Sequence, residues 1–337
     1  MKIAIIGAGA IGSVVAGYLT KSGVDCILIG REDQVAAINK NGLTIRGVRG
    51  TENIKIKVGV RLPDFYDLVI FTTKTQDLEE AYSHNNSYLD DCFVLSSQNG
   101  VQADNILGFH FEKEKMLSSI VMFGATYTNP GEVTFNFEGD WIIGKPYTPV
   151  GPQVHEFAAL LGKALPTVVS TNIMGMKYLK LFVNFNNCIP AVLGKSMQET
   201  FADMDFCRLS ILLLKEGVDI VNKVGIELVS LPQFPKERIV GLVNMPLDQA
   251  AGIINKTLTT LSKEPLYGSI LQSIMRGRTS EIDFINGEAV HLATQIRMEA
   301  PFNRRIVEMV HEVEQTGQYF TTEKVKDNFG LASLKKV

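Results

Sequence analysis

The chain has 337 residues, of which 45% are hydrophobic and 20% are charged, and its formal net charge is −3 at pH 7. This balance gives no reason to expect nucleic acid or an anionic membrane as a partner, and no apolar run approaches the roughly 20 residues that span a bilayer. The length exceeds what one hydrophobic core usually organises, so we expect two domains.

The cysteines and the beginning of the chain bear on the compartment. Cys26, Cys92, Cys188 and Cys207 do not have the spacing of a metal site. We therefore expect free thiols, no bound metal and a reducing compartment. The apolar start is only a few residues long and runs into glycines, which is typical of a strand and not of a signal peptide. The sequence thus predicts a cytoplasmic protein.

The first chemical motif is the glycine-rich stretch in "KIAIIGAGAIG". Ile3 to Ile6 predict a short buried strand, and Ser13 to Leu19 predict the start of a helix. Between them stands the pattern G-x-G-x-x-G, whose glycines permit a tight turn, a close approach of a pyrophosphate, and close packing of helix on strand. The alternative is a plain turn between strand and helix. The predicted phosphate-binding loop consists of Gly7, Ala8, Gly9, Ala10, Ile11 and Gly12.

Strand-like and helix-like segments alternate through the first half of the chain. The strand-like segments are "CILIG" at 26–30, "DLVIFTT" at 67–73, "CFVLSS" at 92–97, "KMLSSIVMF" at 115–123 and "TVVS" at 167–170, with "NPGEVTF" and "DWIIGK" as an expected hairpin. Such alternation predicts an α/β fold, a Rossmann-type doubly wound parallel sheet. From about residue 172 long helical periods take over. We expect a dinucleotide-binding domain at 1–170 and an all-helical domain at 171–337.

Two basic residues follow predicted strands. In this fold an acidic residue at the end of the second strand usually holds the ribose 2′-hydroxyl of NAD, whereas an arginine there accommodates the 2′-phosphate of NADP. Here "CILIG" is followed by Arg31, which favours NADP, although Glu32 stands beside it and a solvated loop charge is the alternative. Lys74 follows another strand at the edge where ligands bind, and a surface lysine is its alternative.

The segment "MKYLKLFVNFNNCIPAV" at 176–192 predicts a helix with one polar face. Lys180, Asn184 and Asn187 share that face at helical spacing, with Lys177 close to it. Asparagine is a poor helix former, and the face lacks the Glu and Lys pairs that decorate exposed helices. A binding face and a solvated face therefore both remain open.

A second acidic candidate occurs in "SEIDFING". Ser280 is expected to cap a helix whose first turn carries Glu281 and Asp283, which the helix dipole favours. The functional alternative is that Glu281 meets a lysine of the binding site.

The chain resembles the ketopantoate reductase family over nearly its whole length. The resemblance rests on "KIAIIGAGAIG", "TTKTQD", "SSQNGVQ", "GATYTNPGEV", "KYLKLFVN", "GSILQSIMRGRTSEIDFING" and "APFNRRIVEMV". It implies NADPH-dependent reduction of 2-dehydropantoate (ketopantoate) to pantoate, a step of pantothenate biosynthesis toward coenzyme A. The family carries this out in a cleft between a Rossmann domain and a helical domain.

The resemblance also implies catalytic and substrate-binding roles. Lys180 matches the general acid of the family and also faces the substrate, and Glu281 matches its cleft carboxylate, which also lies by the cofactor. Asn184 matches an asparagine that binds substrate, with Asn187 as a further candidate, and Ser269 matches a serine that holds the substrate carboxylate.

Four positions of the first domain are implied to contact the cofactor. Arg31 matches the arginine for the 2′-phosphate, and Lys74 matches a lysine that touches the cofactor. Asn99 matches an asparagine that touches both cofactor and substrate, and Ala125 lies at a position beside the nicotinamide.

Three positions depart from the family pattern. Tyr178 replaces a common tryptophan, Cys188 replaces a second helix asparagine, and Leu266 replaces a further asparagine. These changes leave open a same-fold reductase of another 2-oxo acid or an imine. A non-catalytic NADP-sensing protein is the alternative from another class, and assembly as a homodimer also stays open.

Overall fold

The structure is a computed structural model that describes residues 1–331. The chain divides into two compact units, Met1–Met174 and Gly175–Val337. The sequence predicts a boundary after residue 170, and residues 332–337 of the expected second domain lie outside the described residues.

Strands are confined to the first unit within the described part of the chain. They are β1 (Ile3–Ile6), β2 (Cys26–Ile29), β3 (Leu43–Gly47), β4 (Gly50–Ile54), β5 (Lys57–Gly59), β6 (Leu68–Phe71), β7 (Phe93–Ser96), β8 (Met116–Val121), β9 (Gly124–Asn129), β10 (Glu132–Phe137), β11 (Trp141–Gly144) and β12 (Thr167–Ser170).

The larger sheet has the order β12-β11-β8-β7-β6-β1-β2-β5. From β5 to β8 all neighbours are parallel, whereas β11 runs antiparallel to β8. Strands β1, β2 and β6 are buried along their whole length, because helices cover both faces of such a sheet. The chain passes from β1 to β2 on one side of β1, and after β5 it returns to β6 on the other side. The predicted doubly wound fold is confirmed, and its ligand-binding edge lies where this direction reverses.

A smaller sheet, β4-β3-β10-β9, was not predicted. The expected hairpin between "NPGEVTF" and "DWIIGK" is wrong. Strand β10 pairs with β9 through the turn at Pro130–Gly131 and with β3, while β11 joins the larger sheet beside β8. The side chains of β11 are buried at all four positions, so this strand is stabilised by the larger core and not by its neighbour in sequence.

The helices of the first unit connect its strands, and those of the second unit follow one another. They are α1 (Ala10–Lys21), α2 (Glu32–Asn41), α3 (Leu78–Asn85), α4 (Gln102–Gly108), α5 (Pro152–Leu161), α6 (Ile173–Asn184), α7 (Cys188–Leu193), α8 (Met197–Phe201), α9 (Met204–Val224), α10 (Glu237–Asn244), α11 (Leu247–Thr259), α12 (Ser269–Met275), α13 (Asn286–Gln295), α14 (Pro301–Thr316) and α15 (Thr322–Asn328).

Among its described residues, the second unit consists of helices and connecting segments, with one isolated β-bridge between Leu231 and Phe234. Its longest helix, α9, packs against α11, α13 and α14. Phe182 and Phe185 are fully buried and meet edge to face at 5.0 Å between ring centroids. Gly217 of α9 allows this approach, because a Cβ there would lie 2.6 Å from the Phe185 ring. Helix α6 therefore has one face fixed against the core of its unit.

Two further observations concern the chain as a whole. All four cysteines are free and buried. Among residues 1–331, no helix is long and apolar enough to cross a membrane.

Candidate active site

The glycine-rich loop connects β1 to α1. Gly7 has φ +120°, and a Cβ there would lie 2.7 Å from the amide nitrogen of Thr73. A Cβ at Gly12 would overlap the carbonyl of Gly7 and the hydroxyl of Thr72, so helix and strand pack as closely as glycine permits. Gly9 differs, because no atom lies within 4 Å of a Cβ placed there. The loop is therefore open at its middle glycine only, where a phosphate would approach.

Helix α1 begins at Ala10, three residues before the predicted start. Gly9 is its N-cap and provides no side-chain hydrogen bond, and the first turn contains no acidic residue. Amide N–H groups of a first helical turn lack intrahelical acceptors and favour anions. The loop residues Ala8, Ala10 and Ile11 have small or apolar side chains. The groups of this turn that can bind an anion are therefore its backbone amides.

Three polar side chains without a predicted role brace this region: Thr72 and Gln34 hold the loop, and Gln98 holds the segment after β6. Thr72, just after β6, donates its hydroxyl to the carbonyl of Gly7 at 2.9 Å. Gln34 of α2 donates to the carbonyl of Ala8 at 2.9 Å. Gln98, just after β7, donates to the carbonyl of Thr73 at 2.9 Å. Thr72 and Gln98 follow the carboxyl ends of buried strands, which is the signal that would have found them, whereas Gln34 lies in the first turn of α2.

The residue that is predicted to favour NADP over NAD follows the end of β2. Arg31 is exposed, follows Gly30 and is the N-cap of α2. Its amide donates to the side chain of Gln34 at 2.9 Å. A Cβ at Gly30 would lie 2.5 Å from the Cβ of Ala8, so the loop leaves no room for an acidic side chain at the strand end.

The other expected cofactor residues of this unit occupy two kinds of position. Lys74 and Asn99 are half-buried and follow β6 and β7 at the same carboxyl edge as the glycine loop. Ala125 lies inside β9 of the smaller sheet, where it pairs with Phe135. Strand β9 follows β8 directly and packs against α1, which brings it near the loop.

In the second unit, α6 ends at Asn184, and residues Phe185–Asn187 form a 3₁₀ turn before α7. The prediction of one continuous helix is therefore wrong, and Asn187 is not placed by α-helical spacing from Lys180. The predicted apolar face is buried at every position, Tyr178, Leu181, Phe182, Phe185 and Ile189. The proposed polar residues Lys180, Asn184 and Asn187 are half-buried.

Lys180 lies in a charged environment within this unit. Burial, and after it the positive charge of Lys177, lower the pKa of Lys180 to about 8 against the opposing effect of the Glu281 carboxylate. These three side chains are therefore close together. A lysine with such a pKa releases a proton much more readily than one in water.

Glu281 is not in the first turn of an α-helix. It precedes a 3₁₀ turn at Ile282–Phe284, and α13 begins only at Asn286. The expected helix cap is correspondingly wrong, because no α-helix begins after Ser280; its hydroxyl oxygen accepts a hydrogen bond from the amide of Ile282, at 3.3 Å, within the 3₁₀ turn. The dipole of a long helix consequently does not account for the position of Glu281.

Ser269 is exposed and begins α12, directly after Gly268. A Cβ at Gly268 would lie 2.6 Å from the side-chain oxygen of Asn187. The start of α12 and the 3₁₀ turn after α6 are thus in contact, so the fold brings the segments of Asn187 and Ser269 together.

The three departures from the family pattern have different surroundings. Tyr178 is buried and donates its hydroxyl to Glu288 at 3.1 Å. Cys188 is fully buried, donates to the carbonyl of Phe185 at 2.9 Å, and burial raises the pKa of its thiol to about 12. Leu266 is 36% exposed.

A Rossmann-type sheet with an open glycine loop, followed by a helical unit, is typical of dinucleotide-binding proteins. Comparison with known proteins agrees with this class. The family described as ketopantoate reductase PanE/ApbA matches residues 3–147, and its C-terminal part matches residues 172–314.

Relatives and solved structures extend the comparison. A 2-dehydropantoate 2-reductase of Pyrococcus horikoshii is 33% identical over 94% of this chain and 99% of its own. Its counterpart in Pyrococcus abyssi is 32% identical over 90% and 94%. A PanE/ApbA family ketopantoate reductase from Ralstonia eutropha has a TM-score of 0.79 at 25% identity, covering 95% of this chain and all of its own. D-mandelate dehydrogenase, solved with NADH and anilino(oxo)acetate, shares the fold with a TM-score of 0.79 at 24% identity over 94% and 99%.

The chain belongs to the ketopantoate reductase family. It is accordingly an oxidoreductase that acts on a ketone. Membership of a reductase family and the Rossmann-type phosphate loop together indicate a nicotinamide cofactor.

Proposed function

We propose that this protein reduces ketopantoate to pantoate with NADPH, and that Lys180 donates the proton. The observation that carries the proposal is the environment of Lys180. Burial and the charge of Lys177 lower the pKa of this lysine to about 8, and the carboxylate of Glu281 acts on the same group. A general acid acts best when its pKa lies near the working pH. The names of the Pyrococcus relatives support ketopantoate as the substrate.

The residues of the first unit fit the cofactor. The opening at Gly9 accepts a pyrophosphate against the first turn of α1. Arg31 is exposed at the end of β2 and suits a 2′-phosphate, which a guanidinium binds through paired charge-assisted hydrogen bonds. Lys74, Asn99 and Ala125 are proposed as further contacts. NADPH, when bound, supplies the hydride for the carbonyl carbon.

The chain itself manages the proton and the substrate carboxylate. The Nζ of Lys180 gives its proton to the ketone oxygen while the carbonyl carbon receives the hydride. The C=O double bond thereby becomes a C–O single bond, with a new C–H bond and a new O–H bond. The cation also stabilises negative charge on that oxygen during the reaction. Glu281 keeps the ammonium group of Lys180 in place. The exposed hydroxyl of Ser269 binds the substrate carboxylate, and Asn184 and Asn187 orient the rest of the substrate.

A second candidate is reduction of another 2-oxo acid with a larger apolar side chain. Leu266 and Tyr267, which are 36% and 42% exposed, lie three and two residues before Ser269 and present apolar surface next in the chain to the proposed carboxylate site. Such surface favours an apolar substituent over a hydroxymethyl group.

Steady-state NADPH oxidation separates the two candidates. We expect kcat/KM to be highest for ketopantoate in a panel that also contains 2-oxoisovalerate, phenylpyruvate and benzoylformate. A clear preference for one of the other three would replace the substrate and keep the reductase. No oxidation with any 2-oxo acid would contradict the proposal as a whole.

A further inference from the structure

A buried lysine stands close to the proposed proton donor and has no part in the reaction described above. Lys177 is only 3% exposed, although lysine is one of the residues least often buried in proteins. It lies in α6 three residues before Lys180, so the two side chains share one side of the helix. Two cations at this spacing repel each other, and burial of one of them strengthens the effect.

The charged groups near this part of α6 include Glu281, from the segment that leads into α13, and Glu288 of α13 itself. On Lys180 the positive charge of Lys177 and the negative charge of Glu281 act in opposite directions. Glu288 of α13, which is 2% exposed, accepts the hydroxyl hydrogen bond of Tyr178 at 3.1 Å. Near Lys180 there are therefore charges of both signs, and Lys177 is the one that repels its proton.

We propose that Lys177 is a positioning residue that acts through Lys180: its ammonium group keeps the neighbouring lysine ready to release a proton near neutral pH. This inference rests on the proposed function, because it assigns Lys177 a role only if Lys180 is the donor. A nearby cation disfavours the protonated form of a lysine, and this is one of the established ways in which proteins activate an amine.

The sign of the effect follows from the charges. Without Lys177, Lys180 loses a repulsive neighbour while Glu281 still attracts its proton, so Lys180 stays protonated to higher pH. Because a general acid must be protonated to act, the alkaline limb of the kcat profile moves upward. Arginine at position 177 keeps the positive charge at every accessible pH and leaves the limb in place.

The test compares Lys177→Met, Lys177→Gln and Lys177→Arg, with Lys215→Met as the matched control on the exposed side of α9. We expect the midpoint of the alkaline decline in kcat to move to higher pH by about one unit in the Met and Gln variants. In the Arg and control variants this midpoint is expected to be unchanged. In parallel, the pH dependence of acetic anhydride labelling of Lys180, followed by peptide mass spectrometry, reports the same amine without any turnover. Its midpoint is expected near pH 8 in the unaltered protein and higher in the Met and Gln variants.

Three results would overturn the inference. One is a limb and a labelling midpoint that stay unchanged in a folded Met or Gln variant. Another is an Arg variant that shifts as much as the Met variant, which indicates a packing effect. The third, which needs no variant, is a labelling midpoint above about pH 9.5 in the unaltered protein, close to that of an ordinary lysine. A failure of the proposed function looks different, because Lys180→Ala would then retain turnover whatever the labelling shows.

Discussion

Replacing Lys180 by alanine removes the proposed proton donor while leaving the first unit intact. With a pKa of about 8, Lys180 is protonated in about nine of ten molecules at pH 7, so the acid form is almost fully available. Loss of a general acid typically reduces the rate by about 10²- to 10⁴-fold, and loss of the cation facing the developing alkoxide adds to this. We expect kcat to fall by at least about 10²-fold.

The assay pairs turnover with cofactor binding. NADPH oxidation is followed on the best 2-oxo acid of the panel, and NADPH affinity is measured by fluorescence titration. The affinity is expected to change little, because the phosphate-binding loop belongs to the other unit. Lys215→Ala, an exposed lysine of α9, is the control and should alter neither quantity and change the free energy of unfolding by no more than about 0.5 kcal/mol. A Lys180→Ala protein with near-normal kcat would remove Lys180 from the mechanism.

Further predictions concern the cofactor, the loop and the pH profile. Arg31→Ala should weaken NADPH binding far more than NADH binding in fluorescence titrations, because only NADPH carries the 2′-phosphate, and equal losses would contradict the assignment. Gly9→Ala should leave the melting temperature nearly unchanged and weaken cofactor binding, whereas Gly12→Ala should lower the melting temperature. An unchanged cofactor affinity in the Gly9→Ala variant would refute the phosphate site. In the unaltered enzyme kcat should decline tenfold per pH unit above about pH 8, because Lys180 must be protonated. Glu281→Gln should move this alkaline limb to lower pH, since the lost carboxylate had raised the pKa of Lys180. A limb that moves to higher pH instead would place the carboxylate elsewhere.

The parts of the fold that the sequence predicted are those whose signal is local. Strands β1, β2, β6 and β7 are short apolar runs bounded by glycine or polar residues, and all lie in the parallel sheet as expected. Their carboxyl ends place the glycine loop, Arg31, Lys74 and Asn99 along one edge, which follows from the sheet topology once the strands are known.

The smaller sheet could not be predicted in the same way. Strand β4 reads "GTENI" and is at most half-buried, so it shows neither an apolar run nor clear alternation. Strand β10 finds β3 at a distance of almost ninety positions in the chain, and no short-range pattern encodes that pairing. The hairpin prediction fails for the same reason, because β11 pairs with β8 and not with β10, its neighbour in sequence.

In the second unit, periodicity identified the buried face of α6 and missed where the helix ends. Phe185, the first residue of the 3₁₀ turn at Phe185–Asn187, packs against Phe182 and against Gly217 of α9, so the end of α6 involves contact with a separate helix. Likewise, nothing in the spacing of Lys177 distinguishes a buried lysine from a solvated one. The close approach of Glu281 to Lys180 depends on the tertiary fold and required the structure.

The most direct test of the central claim is isotope transfer from the cofactor to the ketone. NADPH carrying deuterium at C4 of the nicotinamide, prepared separately in each stereochemical form, is incubated with the enzyme and ketopantoate, and the product is analysed by mass spectrometry. The account predicts pantoate with one deuterium at C2 from one form and none from the other. Failure of both forms to deliver deuterium to any 2-oxo acid, with NADPH bound and unconsumed, would contradict it.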